Sequence, residues 1–580
     1  MNFRPKTKTR TTPHLLTLAA ALAATFAAPQ ASADGFSGAY LAGRQAIYDR
    51  DFETAAGYYT QALAHDPSNA EIIEDVIMAN VSLGRIETAA VVAAKLEADG
   101  HTSQVAQMAL ASVQARDGDF AALIKRIDDE KHMGELIDQL VRGWAALGAG
   151  DMSAALAAFD ASIEGNGSRA FGLYHKALAL AHVGDLEAAE AIFADPAPGS
   201  LVQTRRGVIA HVQVLSQMGR NDKALAVIND RFASSSDPEI RAMRQTLEGS
   251  GSLNFDIVGS PSEGVAEVYF TIAGALLSDA PSSDTLMFAR VAQFLRPEHV
   301  DAALLVAQIL EKMGQHEAAS DAYRTVPQDS PAFHVAELGR ADTLRAVGKD
   351  DAAIEVLEQL TKTHPDLPVV HTAHGDLMRL LERFDEAIAS YDKALDLRAE
   401  AASGDWFIYY TRGIAYERLG DWEASEADFR RALEISPEQP NVLNYLGYSL
   451  VEKNRKLDEA LEMIERAAAA SPNSGYIIDS LGWAMFRLGR FDDAVPHMER
   501  AAELMSIDPV VNDHLGDVYW AVGRKLEAEF QWKRALSFVD QGDTSQEADP
   551  ERIRRKLDVG LDAVLSEEGE EPLNVANDEG

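Results

Sequence analysis

Glycine recurs at a nearly constant interval in the C-terminal half of the chain, at Gly375, Gly413, Gly447, Gly482 and Gly516. The interval is roughly 34 residues, within the range typical of repeat proteins. Small residues follow each glycine at two fixed distances, with one inserted residue in the unit that begins at Pro440: Ala387, Ser425, Ala460, Ala494 and Ala528, then Ala394, Ala432, Ala467, Ala501 and Ala535. Small side chains at such spacing let two helices cross closely. The sequence therefore predicts a repeated unit of two helices.

Each unit resembles the tetratricopeptide repeat, a helix-turn-helix of roughly 34 residues. If the recurrent glycine holds position 8, bulky residues fall at position 24, and Gly420, Gly489 and Gly523 fall near position 15, where a first helix would end. The resemblance implies an all-α fold, a right-handed superhelical solenoid. Extending the register towards the N-terminus predicts about 14 helix pairs in two arrays, six before Arg241 and eight after Ser262.

Residues 1–33 have the pattern of a secretory signal peptide. Four cations at positions 4, 6, 8 and 10 precede a short apolar run at 15–28, and Ala31-Ser32-Ala33 is a typical small-residue cleavage site. We expect cleavage between Ala33 and Asp34. The product would be exported to the periplasm, without a membrane-spanning segment and without a lipid anchor.

The remaining boundaries follow from the repeat register and from composition. Residues 34–240 form the predicted N-terminal array and residues 266–542 the C-terminal array, joined by a Gly- and Ser-rich linker at 241–265. A solenoid end would expose apolar surface, so the amphipathic pattern at 543–565 predicts a capping helix. The acidic residues 566–580 predict a disordered tail.

Composition excludes several classes of function. The chain has 53 Lys and Arg against 91 Asp and Glu, a net charge of −38, which repels nucleic-acid phosphates. It has no cysteine, which excludes disulfides, thiolate metal sites and a thiol nucleophile. No cofactor is predicted, and nucleic acid is not an expected partner.

Catalytic motifs are absent from the sequence, which predicts a protein that is not an enzyme. There is no phosphate loop, no H-E-x-x-H helix and no G-x-S-x-G elbow. The strongest metal candidate is the pair His371 and His374, three positions apart. In the repeat register this pair occupies packing positions, and it lacks a complete ligand set, so no metal site is predicted.

Aromatic residues are concentrated between Trp406 and Gly542. In the tetratricopeptide repeat family, first helices line the concave surface, and ligand contacts usually come from positions 2, 5, 6, 9, 12 and 13. Carried onto this sequence, those positions predict a protein- or peptide-binding groove formed by Phe407, Tyr410, Arg418, Asn441, Asn444, Tyr445, Tyr448, Tyr476, Asp479, Trp483, Phe486, Arg487, Asp513 and Trp520. The alternative is that these aromatics only pack against the neighbouring repeat.

The segments LNYLGYSL, IIDSLGWAMFRLGRFDDAV and NDHLGDVYWAVGRKLEAEFQWKRAL also resemble a group of bacterial envelope proteins built from these repeats. One member is a lipoprotein adaptor of a periplasmic carboxy-terminal processing protease, whereas this chain has no cysteine to acylate. The resemblance implies a non-catalytic scaffold that binds a protein or peptide in the envelope, with a processing protease as one expected partner. The alternatives are a scaffold for export or assembly of polysaccharide or outer-membrane components, and a metal-dependent enzyme around His371 and His374.

Overall fold

The computed structural model describes residues 36–165, 168–195, 201–233, 237–398, 404–539 and 548–569. Within these residues the regular secondary structure is helical throughout, with one short 3-10 helix at Leu201–Gln203. The first 15 α-helices are α1 Phe36–Tyr48, α2 Phe52–His65, α3 Ala70–Ser82, α4 Ile86–Ala98, α5 Gln104–Arg116, α6 Phe120–Asp128, α7 Glu135–Gly148, α8 Met152–Glu164, α9 Arg169–His182, α10 Leu186–Phe193, α11 Arg205–Gln217, α12 Asn221–Phe232, α13 Pro238–Glu248, α14 Pro261–Leu276 and α15 Ser282–Leu295.

The remaining helices continue the same alternation of pairs and short turns. They are α16 Val300–Lys312, α17 His316–Arg324, α18 Phe333–Ala346, α19 Asp350–Thr363, α20 Pro368–Leu380, α21 Phe384–Asp396, α22 Trp406–Arg418, α23 Trp422–Ile435, α24 Pro440–Glu452, α25 Leu457–Ala470, α26 Gly475–Arg487, α27 Phe491–Leu504, α28 Pro509–Ala521, α29 Lys525–Val539, α30 Pro550–Val559 and α31 Leu561–Glu568. Six pairs run from α1 to α12, and eight run from α14 to α29. The all-α fold and the count of fourteen pairs are as the sequence predicts.

A glycine–aspartate step forms the turn inside several pairs. Gly420 has φ +82°, a left-handed conformation that ends α22 without a side-chain clash. The next residue, Asp421, accepts a hydrogen bond from the backbone N–H of Ala424 and so caps α23. The same step recurs at residues 118–119, 150–151 and 184–185. Each such dipeptide therefore ends one helix and begins the next.

The recurrent glycine at position 8 marks the crossing of the two helices in a pair. A Cβ atom on Gly516 would lie 2.4 Å from Trp532 Nε1, and one on Gly413 would lie 2.8 Å from Phe429. Trp532 and Phe429 are fully buried, and both hold position 24 of their repeats. The predicted combination of a small residue at position 8 and a bulky one at position 24 is therefore the packing contact of each pair.

The chain divides into two compact units, residues 1–357 and 358–580. The predicted linker at 241–265 is consequently not the boundary, because it lies inside the first unit. Residues 238–248 form α13, and Ile257 and Val258 are 4% and 1% exposed in the core. The backbone carbonyl of Ile257 accepts hydrogen bonds from Arg206 and Arg296. This segment is held by packing and hydrogen bonds rather than acting as a hinge.

The helices after this segment fold back onto the first repeats of the same unit. Helix α14 packs on α7 and α9, and α15 packs on α3 and α5. A Cβ on Gly264 of α14 would lie 2.1 Å from the buried ring of Trp144, and the guanidinium of Arg116 lies 4.4 Å from the centroid of Phe294. The helices α3, α5, α7 and α9 are the first helices of their pairs. Their faces in the first unit are therefore partly covered by the chain itself.

The C-terminal cap consists of two helices, α30 and α31, rather than the single predicted helix at 543–565. Gly560 separates them with φ +84°. Residues 566–568 belong to α31, although the sequence assigned them to the acidic tail. The rest of that tail from residue 570, the signal peptide and its cleavage site between Ala33 and Asp34 lie outside the described residues.

Among the described residues, no helix is both long enough and apolar enough to cross a membrane.

Candidate functional site

A pocket of about 530 Å³ lies in the second unit, on the first helices of consecutive pairs. Its walls come from α22, α24 and α26, from the turn that leads into α28 and from the first turn of α28. It is lined by Glu417, Arg418, Asn444, Tyr445, Tyr448, Ser449, Glu452, Tyr476, Asp479, Ser480, Met505, Asp508, Val510 and Val511. This volume and the mixture of aromatic and polar groups are typical of ligand sites.

Hydrogen bonds between successive first helices hold the rings of this region in place. Tyr445 Oη donates to Glu417 at 2.8 Å, and Tyr476 Oη donates to Asn441 at 2.6 Å. Burial, followed by the charge of Glu417, raises the pKa of Tyr445, so its hydroxyl remains a donor. These bonds fix where the aromatic side chains lie before any partner arrives.

Asn444 supplies the least satisfied polar group of the pocket. Its side chain is 6% exposed, and its Oδ1 has no hydrogen-bond partner among the described residues. A buried acceptor without a partner costs about 1–3 kcal/mol. Because this oxygen is buried within the pocket wall, a ligand N–H would recover that cost once the amide rotates towards the pocket.

Carboxylates outnumber cations in the pocket wall, but each contacts a group of the protein. Arg487 lies 3.7 Å from Glu452, and Asp508 accepts hydrogen bonds from the backbone of Val510 and Val511 at the start of α28. The only Lys or Arg side chain among the lining residues is Arg418. The wall therefore has a negative balance and would favour a neutral or basic ligand.

A buried Asp479–His514 pair supports the pocket from behind. His514 Nδ1 lies 3.1 Å from Asp479 Oδ2, and its ring stacks on Trp483 with centroids 4.0 Å apart. Burial opposes protonation of His514, but the charge and hydrogen bond of Asp479 outweigh it and raise the pKa of the imidazole. Trp483 in turn donates from Nε1 to Glu452 at 2.7 Å. The Asp479–His514 pair therefore connects α26 with α28, and the Trp483–Glu452 hydrogen bond connects α26 with α24.

The structure brings six of the fourteen predicted groove residues to the pocket. Three others lie next to them: Asn441 accepts from Tyr476, Tyr410 packs edge-on against Tyr445 with centroids 5.9 Å apart, and Arg487 approaches Glu452. Phe407 lies near the start of α22 and is 40% exposed. The pocket-lining members of the predicted set are Arg418, Asn444, Tyr445, Tyr448, Tyr476 and Asp479.

Trp483 also lies next to the pocket, because its Nε1 donates to the lining residue Glu452 at 2.7 Å. The other three predicted groove residues, Phe486, Asp513 and Trp520, contact neighbouring elements of the protein, as the alternative interpretation proposed. Phe486 is 7% exposed and stacks with Trp483 at 4.9 Å. Asp513 is 4% exposed and accepts hydrogen bonds from the buried ammonium of Lys556 at 2.8 and 3.0 Å. Trp520 donates from Nε1 to Asp562 at 2.9 Å. The groove prediction needs correction at the last repeat, because α30 and α31 cover its first helix.

Several lining residues were missed by the sequence reasoning. That reasoning considered only family contact positions on first helices, whereas Met505 and Asp508 belong to the turn between α27 and α28. The Asp508–Pro509 dipeptide, a strong helix-start signal, could have placed that turn beside the pocket.

The histidine pair considered for a metal site does not converge. His371 Nε2 lies 2.9 Å from the carbonyl oxygen of Pro365, whereas His374 Nδ1 lies 2.8 Å from Ser390 Oγ. The neighbouring Asp376 accepts from Tyr391 at 2.7 Å. Across the described ranges, no group of three or more His, Asp or Glu side chains is arranged to hold a metal ion.

Repeated helix pairs with small residues at their crossings define a helical repeat protein, and comparison with known proteins identifies the repeat. The family described as tetratricopeptide repeat matches residues 366–438 in one form and residues 40–104, 140–200 and 410–475 in another. The chain is a tetratricopeptide repeat protein. Proteins of this class bind other proteins.

One curated protein with a similar sequence is the TPR repeat-containing protein PA4667 of Pseudomonas aeruginosa. The two chains are 33% identical over 113 residues, which is 20% of this chain and 19% of that protein. The similarity therefore spans about a fifth of the relative's length.

Solved structures also resemble the chain. One chain of the APC/C hetero-tetramer Cut9–Hcn1 covers 94% of this chain and 99% of its own length at 14% identity, with a TM-score of 0.40. A tetratricopeptide repeat protein from Parabacteroides merdae covers 45% and 98% at 16% identity, with a TM-score of 0.36. YrrB, described as having an unusual peptide-binding site, covers 33% and 95% at 20% identity, with a TM-score of 0.27. Scores below 0.5 are too low for a residue-by-residue comparison.

Proposed function

We propose that this chain is a non-catalytic, exported scaffold that binds an extended peptide segment of an envelope protein in the pocket of its second unit. The observation that carries the proposal is the unpaired, buried Oδ1 of Asn444 in the wall of that pocket. A peptide backbone N–H is a donor of the right kind for this oxygen. Tyr476, which is 48% exposed, offers an aromatic face beside it.

The location and the partner are further parts of the proposal. The signal-peptide pattern of residues 1–33 supports export to the periplasm. The resemblance to an adaptor of a carboxy-terminal processing protease supports such a protease, or its substrate, as the partner. The negative balance of the pocket wall favours a segment without a cluster of acidic residues.

Affinity capture from envelope extracts of the native host tests this function. The bait is the full mature chain, and the test variant is Asn444→Leu. This change removes an unsatisfied buried oxygen at similar volume, so we expect the fold to persist. Losing a hydrogen bond worth about 1–3 kcal/mol should weaken binding of the partner by about fivefold or more.

The matched control is Asn473→Leu, because Asn473 is exposed and lies outside the pocket lining. The control should capture the partner as the wild type does, and circular dichroism should show that both variants remain helical. Equal capture by Asn444→Leu and the wild type would contradict the proposed site. Recovery of a polysaccharide synthase or an outer-membrane porin in place of a protease would contradict the proposed partner.

A further inference from the structure

The wall of the second-unit pocket contains a carboxylate whose partner can change its own charge. Asp479 lines this pocket and is 6% exposed. Its two oxygens lie 3.2 and 3.1 Å from Nδ1 of His514, and in the part of the chain that the structure describes no other group donates a hydrogen bond to them. His514 is also buried, so water is a poor substitute for it. The charge on the imidazole therefore decides whether the Asp479 carboxylate is compensated.

The carboxylates beside His514 on its own helix have a permanent cation as their partner. Asp513 and Asp517 both accept hydrogen bonds from the buried ammonium of Lys556. Arg552, also on α30, lies 3.8 Å from Asp517. These two aspartates are therefore compensated whether or not the imidazole is protonated.

Two carboxylates on neighbouring helices also have donors of their own. Glu499 of α27 accepts hydrogen bonds from Tyr519 and Arg524, each at 2.9 Å. Glu452 of α24 accepts from Trp483 Nε1 at 2.7 Å, and it is the indole, not the carboxylate, that stacks on the ring of His514. Among the described groups, Asp479 is thus the carboxylate that depends on His514 for a positive partner.

The imidazole of His514 can exchange its proton in an accessible pH range. Burial opposes protonation, but the charge of Asp479 and the hydrogen bond to it raise the pKa of His514 above the ordinary histidine value of about 6.5. A neutral ring can still donate to Asp479 through Nδ1–H. Loss of the proton therefore removes a positive charge behind the pocket wall without breaking the hydrogen bond.

We propose that the Asp479–His514 pair is a proton switch that sets the charge of the second-unit pocket and makes its affinity for a cationic group depend on pH. With the ring protonated, the pair has no net charge. With the ring neutral, the pocket wall gains one uncompensated negative charge and attracts a lysine or arginine side chain more strongly. The switch rests on the proposed function, because it regulates the same pocket.

Protonation of His514 and binding of a cation must then be linked in both directions. A cation beside Asp479 favours the neutral ring, so its binding releases the proton and lowers the pKa of His514. Affinity for the cation should consequently rise by up to about tenfold per pH unit while the ring loses its proton, and then level off. A neutral ligand of the same shape should show no such rise.

NMR of the full mature chain, labelled with carbon-13 at the Cε1 atoms of its histidines, tests the switch without the native partner. Loss of a signal in His514→Gln identifies the ring. Its pKa is measured between pH 5.5 and 8.5 with increasing benzylammonium chloride, or with benzyl alcohol and an equal concentration of sodium chloride. We expect benzylammonium to lower the pKa of His514 by about one pH unit, a tenfold coupling, and benzyl alcohol to leave it unchanged.

His497 is the control within the same spectra. It lies on α27 outside the pocket lining, where burial lowers its pKa and the exposed carboxylates of Asp493 and Glu465 act in the opposite direction. Association of benzylammonium with surface carboxylates would therefore shift His497 too. In the second variant, Asp479→Asn, the pKa of His514 should fall and should no longer respond to benzylammonium.

Three results in these spectra would overturn the switch. They are a pKa of His514 that benzylammonium leaves unchanged at every concentration, equal shifts of His514 and His497, and an undiminished response in Asp479→Asn.

Capture of an envelope protein separates the switch from the function on which it rests. Retention is compared at one pH unit below and one above the pKa that NMR gives for His514. The wild type should bind the captured protein about fivefold more tightly at the higher pH, and His514→Gln equally at both. Equal binding by the wild type at both pH values would refute the switch and leave the proposed function standing. Failure to capture any protein would refute the proposed function, and the response of His514 to benzylammonium would then decide the switch alone.

Discussion

Lys556 is a buried cation that joins the C-terminal helices to the last repeat. Its side chain is completely buried, and its Nζ lies 2.8 and 3.0 Å from the oxygens of Asp513 and 2.7 Å from both oxygens of Asp517. Removing one partner of a buried ion pair costs about 3–5 kcal/mol, because the remaining charge is left uncompensated. Lys556→Met leaves the buried carboxylates of Asp513 and Asp517 without their ammonium partner. We therefore expect the free energy of unfolding of the second unit to fall by at least about 3 kcal/mol.

Urea unfolding followed by tryptophan fluorescence measures this loss. Five of the six tryptophans lie between positions 406 and 532, so the signal reports mainly on the second unit. With a slope of about 2 kcal/mol per molar urea, a loss of about 3–5 kcal/mol lowers the midpoint by about 1.5–2.5 M. Burial already raises the pKa of Asp517 despite Lys556. Protonation should therefore remove the uncompensated charge in the variant. The loss of unfolding free energy caused by Lys556→Met should consequently be smaller at pH 5 than at pH 8.

The matched control is Lys533→Met on α29. The ammonium of Lys533 is 64% exposed and lies 3.2 Å from Glu529, and exposed pairs of this kind contribute about 0–1 kcal/mol. Adding Asp513→Asn and Asp517→Asn to Lys556→Met should restore much of the lost stability, because the stranded charges disappear. A midpoint for Lys556→Met equal to that of Lys533→Met would refute the role of the ammonium as a structural tie.

Two further predictions concern protonation and helix packing. The folded-state pKa of His514 is raised, so its stabilisation is complete below the ordinary histidine pKa of about 6.5 and is lost as the pH rises through the folded value. His514→Gln should flatten that loss between pH 5.5 and 8.5 in urea titrations, and an unchanged pH dependence would contradict the Asp479 pairing. Gly516→Ala should lower the free energy of unfolding by about 1–3 kcal/mol, because its Cβ would lie 2.4 Å from Trp532. Gly57→Ala should raise it by up to about 1 kcal/mol, since that Cβ meets nothing; shifts of the same sign for both would refute the crossing-point explanation.

The repeat register predicted most of the fold because it depends on local sterics. Gly516 and Trp532 belong to the two helices of one pair and must fit against each other, so their sizes are constrained together. The same constraint on side-chain size acts in each repeat, so about fourteen helix pairs could be counted from the sequence. Glycine at 420 and aspartate at 421 mark a turn for equally local reasons.

The fold-back of α14 and α15 could not be predicted from that register. It depends on contacts such as Gly264 on Trp144, between residues far apart in the chain whose pairing has no local signature. The Gly- and Ser-rich composition before α14 favoured a linker. The two neighbouring apolar residues Ile257 and Val258, both buried in the structure, were the sequence signal that this segment packs.

The candidate site was predictable only in part, for a related reason. Positions inferred from the family place Asn444 and Tyr476 on one surface, because first helices stack in register. They could not show that α30 and α31 lie over Asp513 and Trp520, since capping helices stand outside the repeat. The family positions also do not include Met505 and Asp508, the turn residues that complete the wall of the second-unit pocket.

Site-specific photo-crosslinking measures most directly whether the second-unit pocket contacts the partner. Benzoylphenylalanine replaces Tyr476 in the pocket in one variant and Phe530 on α29, which is 62% exposed, in another. Both variants are illuminated in envelope extract of the native host after capture has been shown to be intact. We predict a covalent adduct with the captured protein from position 476 and none from position 530. An adduct from position 530 alone, or none from position 476 while capture persists, would contradict it.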